Sequence, residues 1–180
     1  MNNIINIPTG INPPHDLYGI IEIPALSYPV KYEFNKTFRM MNVDRFISTT
    51  MFYPCNYGFL NQTLSLDGDP LDVLIPSPYP IQSQSIIRCV PIGLLRMEDE
   101  SGSDEKIIAV PHVTITQEYK KIVDIHQLSS LLKKQILNFF NNYKKLDTNK
   151  WVKIKNWENV ETAKLEINQA ITRYKKTQKP

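Results

Sequence analysis

A chain of 180 residues with 42% hydrophobic and 22% charged side chains is sized and composed for one globular domain, residues 1–180, and is not a disordered or low-complexity chain. The net charge of +3 is uneven: residues 1–119 carry 7 basic and 13 acidic side chains, residues 120–180 carry 14 and 5, and the basic part reads as solvated lysine-rich helices. No run approaches the roughly 18 apolar residues of a membrane span, and two cysteines, Cys55 and Cys89, read as buried thiols in a reducing compartment rather than a disulfide framework.

Residues 1–16, with Pro8, Pro13 and Pro14, read as an irregular lead-in. Met1 to Asn6 lacks the basic and apolar parts of a signal peptide, so a cytoplasmic location is expected. Tyr18–Ile23 is β-branched and closed by Pro24, which predicts a strand with Glu22 between Ile21 and Ile23. Val30–Phe34 alternates apolar and charged residues, a half-buried strand with Lys31 and Glu33 on one face. Asn35-Lys36 is expected to turn it into a strand over Phe38–Val43, with Arg45 following. The tract Phe52-Tyr53-Pro54-Cys55-Asn56-Tyr57-Gly58-Phe59 reads as core, with the Tyr53 and Tyr57 hydroxyls in need of partners.

That tract leads into Asp67-Gly68-Asp69-Pro70-Leu71-Asp72, three carboxylates in six residues. Gly68 and Pro70 predict a turn, with buried strands on either side. Two ionised carboxylates about 4 Å apart repel by roughly 4 kcal/mol at an effective dielectric of about 20, so three need protons or cations to coexist. An EF-hand is rejected: counting Asp67 as the first position, Leu71, Asp72 and Pro78 stand where a ligand, a glycine and a glutamate belong. On these residues alone, a solvated acidic turn is an equally good reading.

Val73–Pro76 and Ile86–Leu95 read as strands; residues 98–105 form an acidic loop, and Lys106–Val110 returns as the second arm of a hairpin. From about Gln127 the pattern becomes helical, with Leu128, Leu131, Leu132, Ile136, Phe139, Phe140 and Tyr143 on one face and Lys144 and Lys145 in the last turn. Trp151–Lys155 alternates as a short strand. A second helix starts near Asn159 with Val160, Ala163, Ile167, Ala170, Ile171 and Tyr174 on one face, and Arg173, Lys175, Lys176 and Lys179 form a frayed basic tail. Strands followed by two helices predict an α+β domain on a small sheet or barrel. His15, His112 and His126 lack zinc spacing.

No phosphate-cradling glycine loop and no serine nucleophile elbow is present. The acidic clusters Asp67/Asp69/Asp72 and Asp99/Asp104, with the cations Lys31, Arg45, Lys106 and Lys144, suit metal-assisted hydrolysis of a small phosphate compound. A nucleic-acid-binding OB-type module and a Ca²⁺-stabilised structural domain are the rival classes; neither accounts for the Lys, Arg and Tyr set beside two acidic loops. Glu98, Glu100 and Glu105 read as solvated, and Lys145 as surface. Taken singly, Glu22 and Glu33 read as solvent-facing and Tyr53 as core.

The acidic turn, the aromatic tract, the second acidic loop and the pair Tyr143-Lys144, in this order, resemble the soluble inorganic pyrophosphatases of family I, in the shorter bacterial type, from about Ile4 to Lys175. The resemblance implies a five-stranded OB-like β-barrel with two flanking α-helices. It implies a hydrolase that splits pyrophosphate into two orthophosphates with several Mg²⁺ ions per site, and no nucleic-acid or membrane partner. It implies Asp67, Asp72, Asp99 and Asp104 as metal ligands, Asp72 bridging two ions, with Glu22 acting mainly through water. Asp69 is implied as general base. Lys31, Arg45, Tyr57, Tyr143 and Lys144 are implied to hold the phosphates, with Lys106, Glu33 and Tyr53 completing the site. A cytoplasmic homohexamer is implied too, although Asn138 and Asn142 stand where some hexameric relatives place histidines in subunit contacts.

Overall fold

Runs of aliphatic residues buried on both faces need sheet neighbours on both sides, and five strands supply them to each other by closing into a ring. The computed structural model describes residues 4–35 and 37–178, without the side chain of Ile5. Strand β1 (Leu17–Ile23) precedes a separate two-stranded hairpin, β2 (Val30–Asn35) and β3 (Met40–Phe46). Strands β4 (Asn56–Leu60), β5 (Leu71–Ile75) and β6 (Ile86–Asp99) follow, then a two-residue β7 (Gly102–Ser103) and β8 (Lys106–Pro111). Helix α1 (Ser130–Asn142), strand β9 (Val152–Glu158) and helix α2 (Val160–Thr177) complete the chain.

Around the ring, β1 pairs antiparallel with β4, β4 antiparallel with β5, β5 parallel with β8, β8 antiparallel with β6, and β6 antiparallel with β1. The far half of β6 leaves the ring to pair with β7 and β9. Leu71, Val73, Leu74 and Ile75 of β5 are fully buried, each such side chain contributing about 1.5–3 kcal/mol. Gly58 is required where β1 crosses β4, since a Cβ there would stand 1.8 Å from the Ile20 carbonyl oxygen.

Two irregularities in register matter for the site. In β1, Ile21 pairs with Gly58 and Ile23 with Tyr57, so Glu22 is the extra residue of a bulge; bulges re-aim side chains. In the hairpin, Lys31 pairs with Arg45 and Tyr32 with Val43, which leaves Asp44 as the extra residue.

The two helices cover different parts of the ring. Helix α1 is capped by the Ser129 side chain and brings Phe139, Phe140 and Tyr143 against Tyr53 and Tyr57. Helix α2 is capped by Asn159 and lays Ala163, Ile167 and Ala170 over Leu71, Ile107 and their neighbours. No helix among the described residues is long and apolar enough to cross a membrane. Cys55 and Cys89 are free and buried, and burial pushes both thiols up to about 12.

Several sequence expectations need correction. The second hairpin strand lies at Met40–Phe46, so Arg45 is inside it; Lys36, half of the expected turn, lies outside the described residues. Leu131 is 65% exposed and off the core face of α1, and Lys144 and Lys145 follow the helix rather than ending it. Arg173 is no frayed tail residue: α2 continues to Thr177, and the guanidinium is held by Leu64 and Glu166. Lys179 lies outside the described residues.

Candidate active site

The acidic turn is built by local bonds. The Asp69 N–H donates to Asp67 Oδ1 at 3.0 Å, Ser65 N–H to the Asp69 carbonyl at 2.7 Å, and Gly68 takes the positive φ of 97° that the bend requires. The chain then enters β5, where Leu71 N–H donates to Thr63 Oγ1 at 2.8 Å. Asp67 and Asp69 stay exposed at the tip, and Asp72 is carried into the ring wall.

The parallel pairing of β5 with β8 sets Asp72 opposite Lys106. The Lys106 ammonium is buried, bridges Asp72 Oδ2 and Asp104 Oδ1, and lies 5.6 Å from the centre of the Tyr57 ring. The Tyr57 hydroxyl donates to the same Asp72 oxygen at 2.6 Å. Burial raises the Asp72 pKa despite Lys106, and the Asp72 and Asp104 charges hold Lys106 well above the usual lysine range against the opposing effect of burial. Burial likewise pushes the Tyr53 and Tyr57 hydroxyls well up.

From the bulge in β1, Glu22 accepts the Phe34 N–H at 2.8 Å. Burial, then nearby Asp72 and Glu33, push its carboxyl up to about 8 against that hydrogen bond. On the hairpin, Lys31 pairs with Glu33 and stands 3.5 Å from Asp44, which also takes Arg45 at 2.5 Å. Arg45 Nε is buried with no hydrogen-bond partner. Beyond α1, Lys144 donates to Asp99 Oδ2 at 2.7 Å and to both Glu100 oxygens at 3.1 and 3.2 Å. Burial disfavours the Asp99 carboxylate, but Lys144 and the Ser101 N–H outweigh it and the pKa falls.

All fourteen residues singled out from the sequence line one cavity of about 580 Å³. Eight carboxylates and five cationic side chains face it, an excess of negative charge in a pocket of hard oxygen donors. That donor set fits Mg²⁺, which takes carboxylate oxygens and completes its shell with water and phosphate. Among the described residues no three such side chains are gathered as a ready cage; Lys106 and Lys144 stand among the carboxylates. The three histidines are not in the lining.

Residues 19–175 match the family described as inorganic pyrophosphatase. The chain belongs to the inorganic pyrophosphatase family. It is 60% identical over 174 residues to the inorganic pyrophosphatase of Buchnera aphidicola, covering 97% of this chain and 96% of the relative. To that of Escherichia coli K12 it is 54% identical over 173 residues, covering 96% and 98%. The fold is similar to the solved inorganic pyrophosphatase of Thermus thermophilus, with a TM-score of 0.91 and 37% identity over 97% of this chain and 99% of that one. The similarity to that of Coxiella burnetii is comparable, with a TM-score of 0.90 and 46% identity over 93% and 99%. As a pyrophosphatase-family member it is a hydrolase with the OB-like fold, here a closed ring of five strands with two helices.

The expectation that Glu105 is solvated is not met in this pyrophosphatase-family site, whereas Glu100 is exposed as expected and yet belongs to the cavity wall. Glu100 lines the cavity, holds Lys144 and accepts the Trp151 N–H at 3.4 Å. Glu105, just before β8, is buried and pairs with Arg96. Glu98 is half-exposed and pairs with Lys155 at 2.8 Å. The signal for Glu100 was its position next to Asp99 at a hairpin tip, which places two consecutive side chains within reach of one lysine.

Proposed function

We propose that this chain hydrolyses inorganic pyrophosphate with Mg²⁺, adding one water across the P–O–P bridge to give two orthophosphates. The observation that carries the reading is the make-up of one cavity, in which eight carboxylates face five cationic side chains. Carboxylates suit hard cations, and Lys and Arg suit phosphate oxygens.

Asp67, Asp72, Asp99 and Asp104 are assigned to hold Mg²⁺, with Glu22 acting through water. Bound there, Mg²⁺ supplies positive charge to the phosphate oxygens and lowers the pKa of water from about 15.7 toward about 7 in the best case. Asp69, exposed at the tip of the turn, takes the proton of the attacking water. The electron pair of the breaking P–O bond leaves with the departing phosphate. Lys31, Arg45, Tyr57, Lys106, Tyr143 and Lys144 bind phosphate oxygens and stabilise that charge. The buried, unpartnered Arg45 Nε is a donor suited to an anion. Glu33 holds Lys31, and Tyr53 packs 5.2 Å from the Tyr57 ring and keeps it in place. The chain contributes position and charge rather than a covalent intermediate.

The family likeness also supports a cytoplasmic homohexamer, to be tested by sedimentation. The reaction is tested by orthophosphate release from pyrophosphate with Mg²⁺ and with chelator. Release that requires Mg²⁺ is expected. A folded sample that binds Mg²⁺ and releases no orthophosphate would overturn the proposal.

A further inference from the structure

Behind the two acidic loops, on the side away from the cavity, lies a ladder of charged side chains that the proposed reaction does not use. Arg173 of α2 donates from Nε to the Leu64 carbonyl at 2.7 Å, and Leu64 N–H donates to the Ala170 carbonyl at 3.0 Å. Helix α2 thus holds both backbone groups of a residue three positions before Asp67. The other arm of the Arg173 guanidinium pairs with Glu166. Beside Glu166 lies Glu105, the residue between Asp104 and Lys106. Arg96 closes the ladder by pairing with Glu105 and, at 3.3 Å, with Glu158 just before α2 begins. Glu105 and Glu166 are each only 8% exposed.

Burying such charges is costly unless each is paired, and a row of paired charges resists displacement because moving one member strands another. The row has one consequence for the cavity. The turn bearing Asp67 and Asp69 is tied to α2 through Leu64, and the strand start bearing Asp104 is tied through Glu105 and Arg96 to Glu158, just before α2 begins.

We propose that Arg173 is a positioning residue, through which α2 holds the turn bearing Asp67 and Asp69 at the spacing from Asp104 that binds divalent cations. The inference rests on the reading that these carboxylates hold Mg²⁺. It separates Arg173 from residues that merely stabilise the fold, because loosening the brace weakens cation binding and leaves the assembled site intact once it is loaded.

The test is calorimetric titration of Mg²⁺ into wild type, Arg173→Met and Arg173→Lys. The lysine variant keeps the charge and helix while replacing two donor nitrogens with one, and it carries the test if the methionine variant does not fold. Lys164→Met serves as the control: it removes a surface pair with Glu161 on the same helix, 2.8 Å long, that touches neither loop. The dissociation constant is expected to rise about tenfold in the Arg173 variants, the low end for support shells of metal sites, and to stay at the wild-type value in Lys164→Met. The Mg²⁺ concentration for half-maximal orthophosphate release should rise in parallel, with kcat at saturating Mg²⁺ within about twofold of wild type. Unchanged Mg²⁺ affinity in a folded Arg173 variant, even with a lowered Tm, overturns the brace. Wild type that binds no Mg²⁺ overturns the metal reading itself, and the brace with it.

Discussion

The Tyr57 hydroxyl and the Lys106 ammonium meet on one oxygen, Oδ2 of Asp72. Both bonds use that one oxygen, and the proposed reaction assigns the carboxylate's other oxygen, Oδ1, to a cation. A hydrogen bond to a charged group contributes about 1.5–3 kcal/mol. Tyr57→Phe should keep the fold and lose about 2 kcal/mol of stability by urea denaturation in chelator. If Tyr57 turns its hydroxyl to the phosphate during the reaction, as proposed, orthophosphate release should fall as well, by about 10²-fold.

Lys106 is a buried cation among the carboxylates of the site: it is 3% exposed and bridges Asp72 and Asp104. Removing one partner of a buried ion pair costs about 3–5 kcal/mol because the other charge is stranded. Lys106→Met should therefore unfold at a much lower temperature than wild type in chelator. Mg²⁺ should return a larger part of that loss in the variant than it adds to wild type, since the stranded carboxylates gain a new counter-charge. Equal Mg²⁺-induced shifts in thermal unfolding of the two proteins would count against cation binding at these carboxylates.

The acidic turn and the alternation Lys31-Tyr32-Glu33 were legible because turn residues and two-residue periodicity leave a mark on sequence. What put Glu22 into the cavity left no such mark. A bulge at Ile21/Ile23 re-aims that side chain, and nothing in Ile21-Glu22-Ile23 distinguishes a bulged glutamate from a solvent-facing one. The convergence of Asp72 and Lys106 depends on a parallel pairing of strands 34 residues apart, and spacing along the chain does not encode it. Glu105 was misread because local composition gave it acidic neighbours, whereas its partner Arg96 lies across the β6–β8 hairpin. Arg173 was misread for the same reason: a run of lysines suggests a frayed end, and the Leu64 carbonyl that holds it is 109 positions away.

Asp69 stands at the exposed tip of its turn, and its side chain is not needed to form that turn: the bonds there use its backbone N–H and carbonyl. Asp69→Asn should leave thermal stability within about 0.5 kcal/mol of wild type, as for a surface change away from structural contacts. If Asp69 is the base, orthophosphate release at saturating Mg²⁺ should fall by about 10²–10⁴, the usual range for losing a positioned base. Wild-type turnover in this variant would remove Asp69 from that role.

Asp124 joins two elements through one carboxylate: Oδ1 accepts the His126 N–H at 3.0 Å and Oδ2 accepts the Val160 N–H at 3.0 Å, at the first residue of α2. Burial opposes the charge, but these two donors outweigh it and the carboxyl titrates below its usual value of 3.8. With a depressed folded pKa, the unfolded chain binds more protons across the window below 3.8, so the stabilisation is present above 3.8 and is lost as pH falls through the folded value. Asp124→Asn keeps one good acceptor and gives up the second together with the charge. It should cost about 1–2 kcal/mol at pH 7, a typical loss for a capping carboxylate. Urea denaturation of both proteins in chelator at pH 7 and at about pH 2.5 checks the sign: the gap between them should narrow toward the acid end, because wild type there is being driven to lose the charge that the variant never had. A gap that widens in acid would show that the two bonds do not favour the ionised carboxylate.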